Sequence, residues 1–235
     1  MKNAILASTS TLHGQNYLEY LIPQISELFR NCNQIIFIPY ARPGGITHHA
    51  YTQTVQKALG DLSFKVKGLH EFEDPVKAIR ECEGIFTGGG NTFLLVEKLY
   101  RKNVMDFLKK QISFGIPYLG ISAGTNITGL TMQTTNDMPI IYPPSFRTLG
   151  VVPFNINPHY LDPEADSKHK GETREIRIKE FHVLNTPPVV GLREGSWLEL
   201  KPGQITLKGK FSARIFTANN SPYEIEPESS LTDLK

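Results

Sequence analysis

Through the first half of the chain, short apolar runs take turns with longer segments in which apolar residues return every three or four positions, and few architectures accept that rhythm. The runs are Ala4 to Ala7, Ile35 to Tyr40, Phe64 to Leu69, Ile85 to Thr87 and Ile116 to Ile121. Each has the length of a strand. Between the first two, Tyr17, Leu18, Leu21, Ile22, Ile25, Leu28 and Phe29 share one face of a helix, which Pro23 is expected to kink. A second helix is expected over Thr47 to Leu59, a third from Pro75 with Asp74 as its cap, and a fourth after Asn91 through Phe93, Leu94, Leu95 and Leu99. The order predicts an α/β fold, a mostly parallel sheet with helices on both faces and with ligands at the carboxyl ends of its strands.

Past Thr131 the prolines Pro139, Pro143, Pro144, Pro153 and Pro158 forbid long elements and leave loops and short strands. A helix returns near Gly171 to Leu184. The remainder is strand-rich, with candidates at Val189 to Leu192, Trp197 to Leu200, Ile205 to Leu207 and Ala213 to Thr217. With 235 residues, no repeat and no low-complexity linker, residues 1–235 read as one α/β domain able to bury a full core.

The 25 Lys and Arg nearly balance the 23 Asp and Glu without a like-charge run, so the charge pattern argues against a nucleic-acid or anionic-membrane partner. Cys32 and Cys82 stand in unlike settings and read as free thiols. The opening Met1 to Ala7 is too short an apolar stretch for a signal peptide or membrane span, and the expected location is the cytoplasm.

Gly120-Ile121-Ser122-Ala123-Gly124 directly follows an apolar run. Glycines on either side of Ser122 let a strand turn sharply into a helix, which lifts the hydroxyl above the sheet and leaves the Ala123 N–H for an oxyanion. The same pentapeptide also suits a plain glycine-rich turn. Thr87-Gly88-Gly89-Gly90-Asn91-Thr92 sits between a strand and a helix as well. It lacks the Lys-Ser/Thr of a phosphate loop, and it reads either as a tight turn or as a second oxyanion donor, from Gly89 or Gly90. None of the seven histidines has zinc-site spacing, so neither metal nor other cofactor is expected. His159, following Asn157-Pro158 where a strand meets a loop, is the candidate base; His13, His70, His169 and His182 fall in solvated or helical settings.

Together, Gly88 to Phe93, Gly120 to Gly124, Thr134-Thr135-Asn136-Asp137-Met138-Pro139, Asn157-Pro158-His159 and Gly171-Glu172-Thr173-Arg174-Glu175 resemble the peptidase E family of serine peptidases, and Ser10-Thr11-Leu12 is similar to its opening loop. The loop Tyr160 to Lys168 differs in length, and the tail after Lys201 lies outside the likeness. The resemblance implies a class I glutaminase-like (flavodoxin-like) fold and hydrolysis of dipeptides with N-terminal aspartate; the chain itself is expected to act as monomer or homodimer, the sequence leaving the choice open. It also implies that Arg174 grips the substrate β-carboxylate, a task suited to a planar guanidinium; spacing alone makes Arg174 a helix-surface residue. Two acids within shared motifs could orient His159. Asp137 is favoured, because Met138-Pro139-Ile140 would hold a short side chain rigidly. Glu194, in Gly191-Leu192-Arg193-Glu194-Gly195, is the alternative and could instead pair with Arg193 or contact the substrate ammonium. Competing readings are a cyanophycinase-like exopeptidase acting on β-linked aspartyl polymers and a non-catalytic phosphate- or nucleotide-binding module. An α/β-hydrolase esterase is disfavoured by the short interval from Ser122 to His159.

Overall fold

The computed structural model describes residues 2–162 and 171–235. Its strands are β1 (Ala4–Ala7), β2 (Gln34–Ile38), β3 (Lys65–Gly68), β4 (Ile85–Thr87), β5 (Tyr118–Ile121), β6 (Asn155–Pro158), β7 (Val189–Leu192), β8 (Ser196–Lys201), β9 (Gln204–Gly209), β10 (Ala213–Phe216) and β11 (Tyr223–Ile225). The five amino-terminal strands lie parallel in the order β3-β2-β4-β5-β1, and β8 and β9 continue the sheet antiparallel beyond β1.

Both faces of this sheet are covered, which explains why its strands are continuously apolar rather than alternating. Ile5, Ala7, Ile35, Phe37, Leu119 and Ile121 share a core with α1 (Ile22–Leu28) and α2 (His48–Ala58). Leu6, Ile36, Ile38, Ile85 and Tyr118 point the other way, toward α3 (Pro75–Arg80), α4 (Thr92–Arg101) and α5 (Met105–Phe114). Asp74 caps α3 as expected, Asn91 does the same for α4, and Thr47, expected as the first helical residue, is instead the cap of α2; each side-chain oxygen accepts an N–H of the first turn.

Three differences from expectation have local causes. Pro23 does not kink a long helix: a 3-10 turn at Glu19–Leu21 comes first, and Pro23 falls in the opening turn of α1, where a missing N–H costs nothing. The helix α5 was not anticipated, although Met105, Leu108 and Ile112 form its buried stripe and Gly115, at φ 100°, ends it. The carboxyl-terminal strands divide between two sheets. While β8 and β9 join the first, a second sheet forms in the order β11-β10-β7-β6, with β6 and β7 parallel. Ile156, Val190, Leu192, Ala213 and Ile215 of this sheet close the core over the α3 to α5 side of the molecule. On its far face, α6 (Ala123–Asn126) having come earlier in the chain, α7 (Arg174–Leu184) packs Ile178 with Tyr160, Val189 and Phe216. Among the described residues no helix is long and apolar enough to cross a membrane.

Candidate active site

Ser122 is the hinge between β5 and α6, with φ 53° and ψ −109°. A non-glycine residue held in so sparsely populated a region costs on the order of 1–3 kcal/mol and persists only where its surroundings impose it. Here they do. A Cβ on Gly120 would stand 2.6 Å from the Gly124 carbonyl oxygen, and one on Gly124 would stand 2.2 Å from that of Thr87. Glycines flanking the serine therefore allow strand and helix to meet closely, and the Ser122 N–H donates to the Ala7 carbonyl at 3.1 Å.

His159 is the first residue beyond β6 and also adopts a left-handed conformation, φ 53°. Its Nε2 lies 2.8 Å from Ser122 Oγ, and its Nδ1 lies 2.5 Å from Glu194 Oε1. In that arrangement Nδ1–H donates to the carboxylate and Nε2 is the acceptor for the serine hydroxyl. The register explains the meeting: Pro158 of β6 is paired with Leu192 of the parallel β7, so His159 and Glu194 leave the same sheet edge. Arg193 does not compete for Glu194. Its guanidinium holds Asp162 through Nε and Nη2 at 2.8 Å and Glu224 through Nη1 at 2.8 Å. Hydrogen bonds, first from Arg193, pull the Glu224 carboxyl down to about 2.

Asp137, favoured from the sequence as the acid beside His159, is engaged elsewhere. Its Oδ2 accepts the Thr92 N–H at 2.7 Å, the Thr92 hydroxyl at 2.6 Å and the Thr135 hydroxyl at 2.9 Å. The carboxylate thereby closes the amino terminus of α4, where the helix dipole favours negative charge. The loop is tied to α4 and not to the imidazole: the Asn91 amide also donates to the Met138 carbonyl at 2.9 Å, while the Met138 and Ile140 side chains expected to brace it are exposed. Its neighbour Asn136 reaches the base from behind, donating to the Pro158 carbonyl at 2.7 Å while accepting from Asn157 Nδ2 at 2.8 Å.

The second glycine cluster abuts the serine: a Cβ on Gly89 would approach Ser122 Cβ to 3.0 Å. The Gly89 N–H is already used, donating to the Tyr51 hydroxyl at 3.1 Å. Gly90, at φ 141°, folds so tightly over Ala41 that any side chain would strike its carbonyl. Among the described residues, neither the Gly90 N–H nor the Ala123 N–H has a protein acceptor. Gly90 therefore replaces Gly89 as the available donor of the loop.

Arg174 is the first residue of α7, behind the Thr173 cap. Burial and then Arg177 lower its affinity for the proton, while the nearby Asp137 charge opposes them. Arg174 thus lies within electrostatic reach of both Arg177 and Asp137. Lys168, Lys170, His169 and most of the loop Tyr160 to Lys168 lie outside the described residues. Among the described residues no three His, Cys, Asp or Glu side chains gather as metal ligands. Two residues that touch this cluster escaped the sequence reading: Tyr51, which accepts the Gly89 N–H, and Ser8, just after β1, whose hydroxyl accepts the His159 N–H at 2.8 Å. Only the position of Ser8, where the chain turns polar at a strand's carboxyl end, marked it.

The family model described as peptidase family S51 matches residues 4–208. A protein of Streptomyces coelicolor named peptidase E is 46% identical over 232 residues, covering 99% of this chain and 94% of its own. A Drosophila melanogaster protein named "Probable alpha-aspartyl dipeptidase" is also 46% identical, over 236 residues, covering 99% and 97%. Among solved structures, a peptidase from an acI-B1 Actinobacterium superposes with a TM-score of 0.72 at 15% identity, covering 98% of this chain and 96% of that one, and so shares the fold. On the family match and these relatives, the chain belongs to peptidase family S51.

Proposed function

We propose that this chain is a serine dipeptidase for substrates with N-terminal aspartate, with Ser122 as nucleophile, His159 as general base and Glu194 as the acid that orients the base. The observation that carries the reading is the unbroken line from Glu194 Oε1 through the imidazole to Ser122 Oγ, with both contacts at hydrogen-bond length. Proton and bond changes follow from it. Nε2 takes the Ser122 proton as Oγ attacks the peptide carbonyl, and the imidazolium so formed is stabilised through Nδ1–H by Glu194. The tetrahedral oxyanion is received by the N–H groups of Ala123 and Gly90, neither of which has a protein acceptor to surrender. The imidazolium then protonates the leaving amine, an acyl-enzyme remains, and water activated by His159 releases aspartate.

The substrate assignment rests on the name of the Drosophila relative together with Arg174. A half-buried guanidinium near the site gives a β-carboxylate a charge-assisted, two-pronged partner, while Asp137 keeps that guanidinium from standing as an isolated charge. The chemistry calls for no metal or cofactor, and we place the enzyme in the cytoplasm. The test is hydrolysis of four compounds side by side: Asp-Leu, Leu-Leu, β-Asp-Arg and a simple ester. Rapid cleavage of Asp-Leu alone is the expected result. Preference for β-Asp-Arg would move the protein to β-linked substrates, and inertness toward all four would refute catalysis of this kind.

A further inference from the structure

The nucleophile and its base stand on different sheets. Ser122 follows β5 of the seven-stranded sheet, whereas His159 and Glu194 leave β6 and β7 of the four-stranded one, and among the described residues no strand pairing joins the two. A distance of 2.8 Å between Ser122 Oγ and His159 Nε2 therefore depends on whatever holds the sheets in register at this edge. Ser8, the residue after β1, is fully buried there. Its N–H donates to the Ser196 carbonyl at 3.2 Å, which keeps it with the first sheet. Its hydroxyl crosses to the second sheet, accepting the His159 N–H at 2.8 Å and donating to the Leu192 carbonyl at 2.7 Å.

We propose that the Ser8 hydroxyl is the positioning group of the catalytic base, fixing the backbone of His159 against β1, the strand whose Ala7 carbonyl accepts the Ser122 N–H. The inference rests on the roles given above to Ser122 and His159. Two consecutive residues serve the two partners: the Ala7 carbonyl accepts the Ser122 N–H, and Ser8 Oγ accepts the His159 N–H. His159 needs such a tie because its left-handed backbone is a conformation that β6 would not otherwise continue into. The bond to Leu192 serves the acid as well, since Glu194 is two residues further on. A bland alternative is that Ser8 merely satisfies buried polar groups. The two differ in where the damage falls. Without the hydroxyl, the Leu192 carbonyl keeps the Tyr160 N–H at 3.1 Å, but the His159 N–H loses its partner. Loss is thus concentrated on the base.

Misplacing a catalytic group by about 1 Å costs on the order of 10²-fold in rate. Ser8→Ala, and separately the nearly isosteric Ser8→Cys whose sulfur is a poor acceptor, should lower kcat on Asp-Leu by about 10- to 10²-fold with KM changed by less than about threefold. The second readout is the rate at which a fluorophosphonate labels Ser122, a reaction in which Oγ bonds to phosphorus, fluoride leaves and His159 takes the proton. It should fall by a similar factor, measured well below the melting temperature of each variant. Should Ser8→Ala not fold, Ser8→Cys decides on the same readouts. A folded variant with reduced melting temperature but wild-type kcat and labelling rate would overturn the proposal. If wild-type protein labels with this Ser8 dependence yet ignores Asp-Leu, the positioning role stands and the substrate assignment fails.

Discussion

Replacing Glu194 by Gln removes the negative charge that faces the imidazolium while leaving a side chain of the same size. Only 2.5 Å separates Oε1 from Nδ1, so the charge centres are about 4 Å apart, where a unit pair is worth about 1 kcal/mol in water and about 4 kcal/mol at a protein surface. The side chains of Glu194 and His159 are 48% and 35% exposed, which places the pair between those limits and below the roughly 10⁴-fold effect of a fully buried triad acid. Glu194→Gln should therefore reduce kcat on the order of 10²- to 10³-fold, part of it because the amide can also donate to Nδ1 and favour the wrong tautomer. Asp137→Asn is the control. Its carboxylate bonds Thr92 and Thr135, so that change should cost less than about tenfold in kcat and appear instead as lost stability, about 1–3 kcal/mol for weakened hydrogen bonds to a charged acceptor. Initial rates at saturating Asp-Leu and denaturant melts on the same preparations suffice. A loss of 10³-fold in Asp137→Asn beside a nearly normal Glu194→Gln would refute this assignment of the acid.

Ser122→Ala should retain the fold and lose turnover by about 10⁴ to 10⁶, read by steady-state rates and by the absence of fluorophosphonate labelling. Activity should survive exhaustive chelation; full loss restored by added metal would contradict the proposed chemistry. Arg174→Ala should cost Asp-X hydrolysis about 2–5 kcal/mol in kcat/KM and neutral dipeptides much less, and equal losses on both would assign selectivity elsewhere. Glu224, whose folded carboxyl is lowered to about 2, stabilises the protein fully above its unfolded value near 4.5, and this contribution fades as pH falls from there toward 2. The stability difference between wild type and Glu224→Gln should accordingly be present at neutral pH and shrink through that window; a pH-independent difference would show that the ion pairs with Arg193 and Arg214 are not its source.

What was legible in the sequence divides along the distance over which each feature is determined. Runs such as Ile85 to Thr87 and caps such as Asp74 and Asn91 are local, and they appear where periodicity and capping chemistry put them. The sharp turn at Ser122 was legible for the same reason, since it needs only its own flanking glycines. Which carboxylate stands beside His159 was not, because the choice between Asp137 and Glu194 depends on pairing Pro158 with Leu192, a register set between segments more than thirty residues apart. Asp137 lies nearer His159 in the chain, yet Thr92, 45 positions away, captures it. The division of the later strands into two sheets was hidden likewise, and it carries the consequence for chemistry. A nucleophile on one sheet and a base on another need a tie that no motif announces, and a serine whose only visible mark is following a strand is placed to supply it. In such a fold the pentapeptide around Ser122 points to the proposed reaction, while the side chains that set its geometry must be sought at the seam between the sheets.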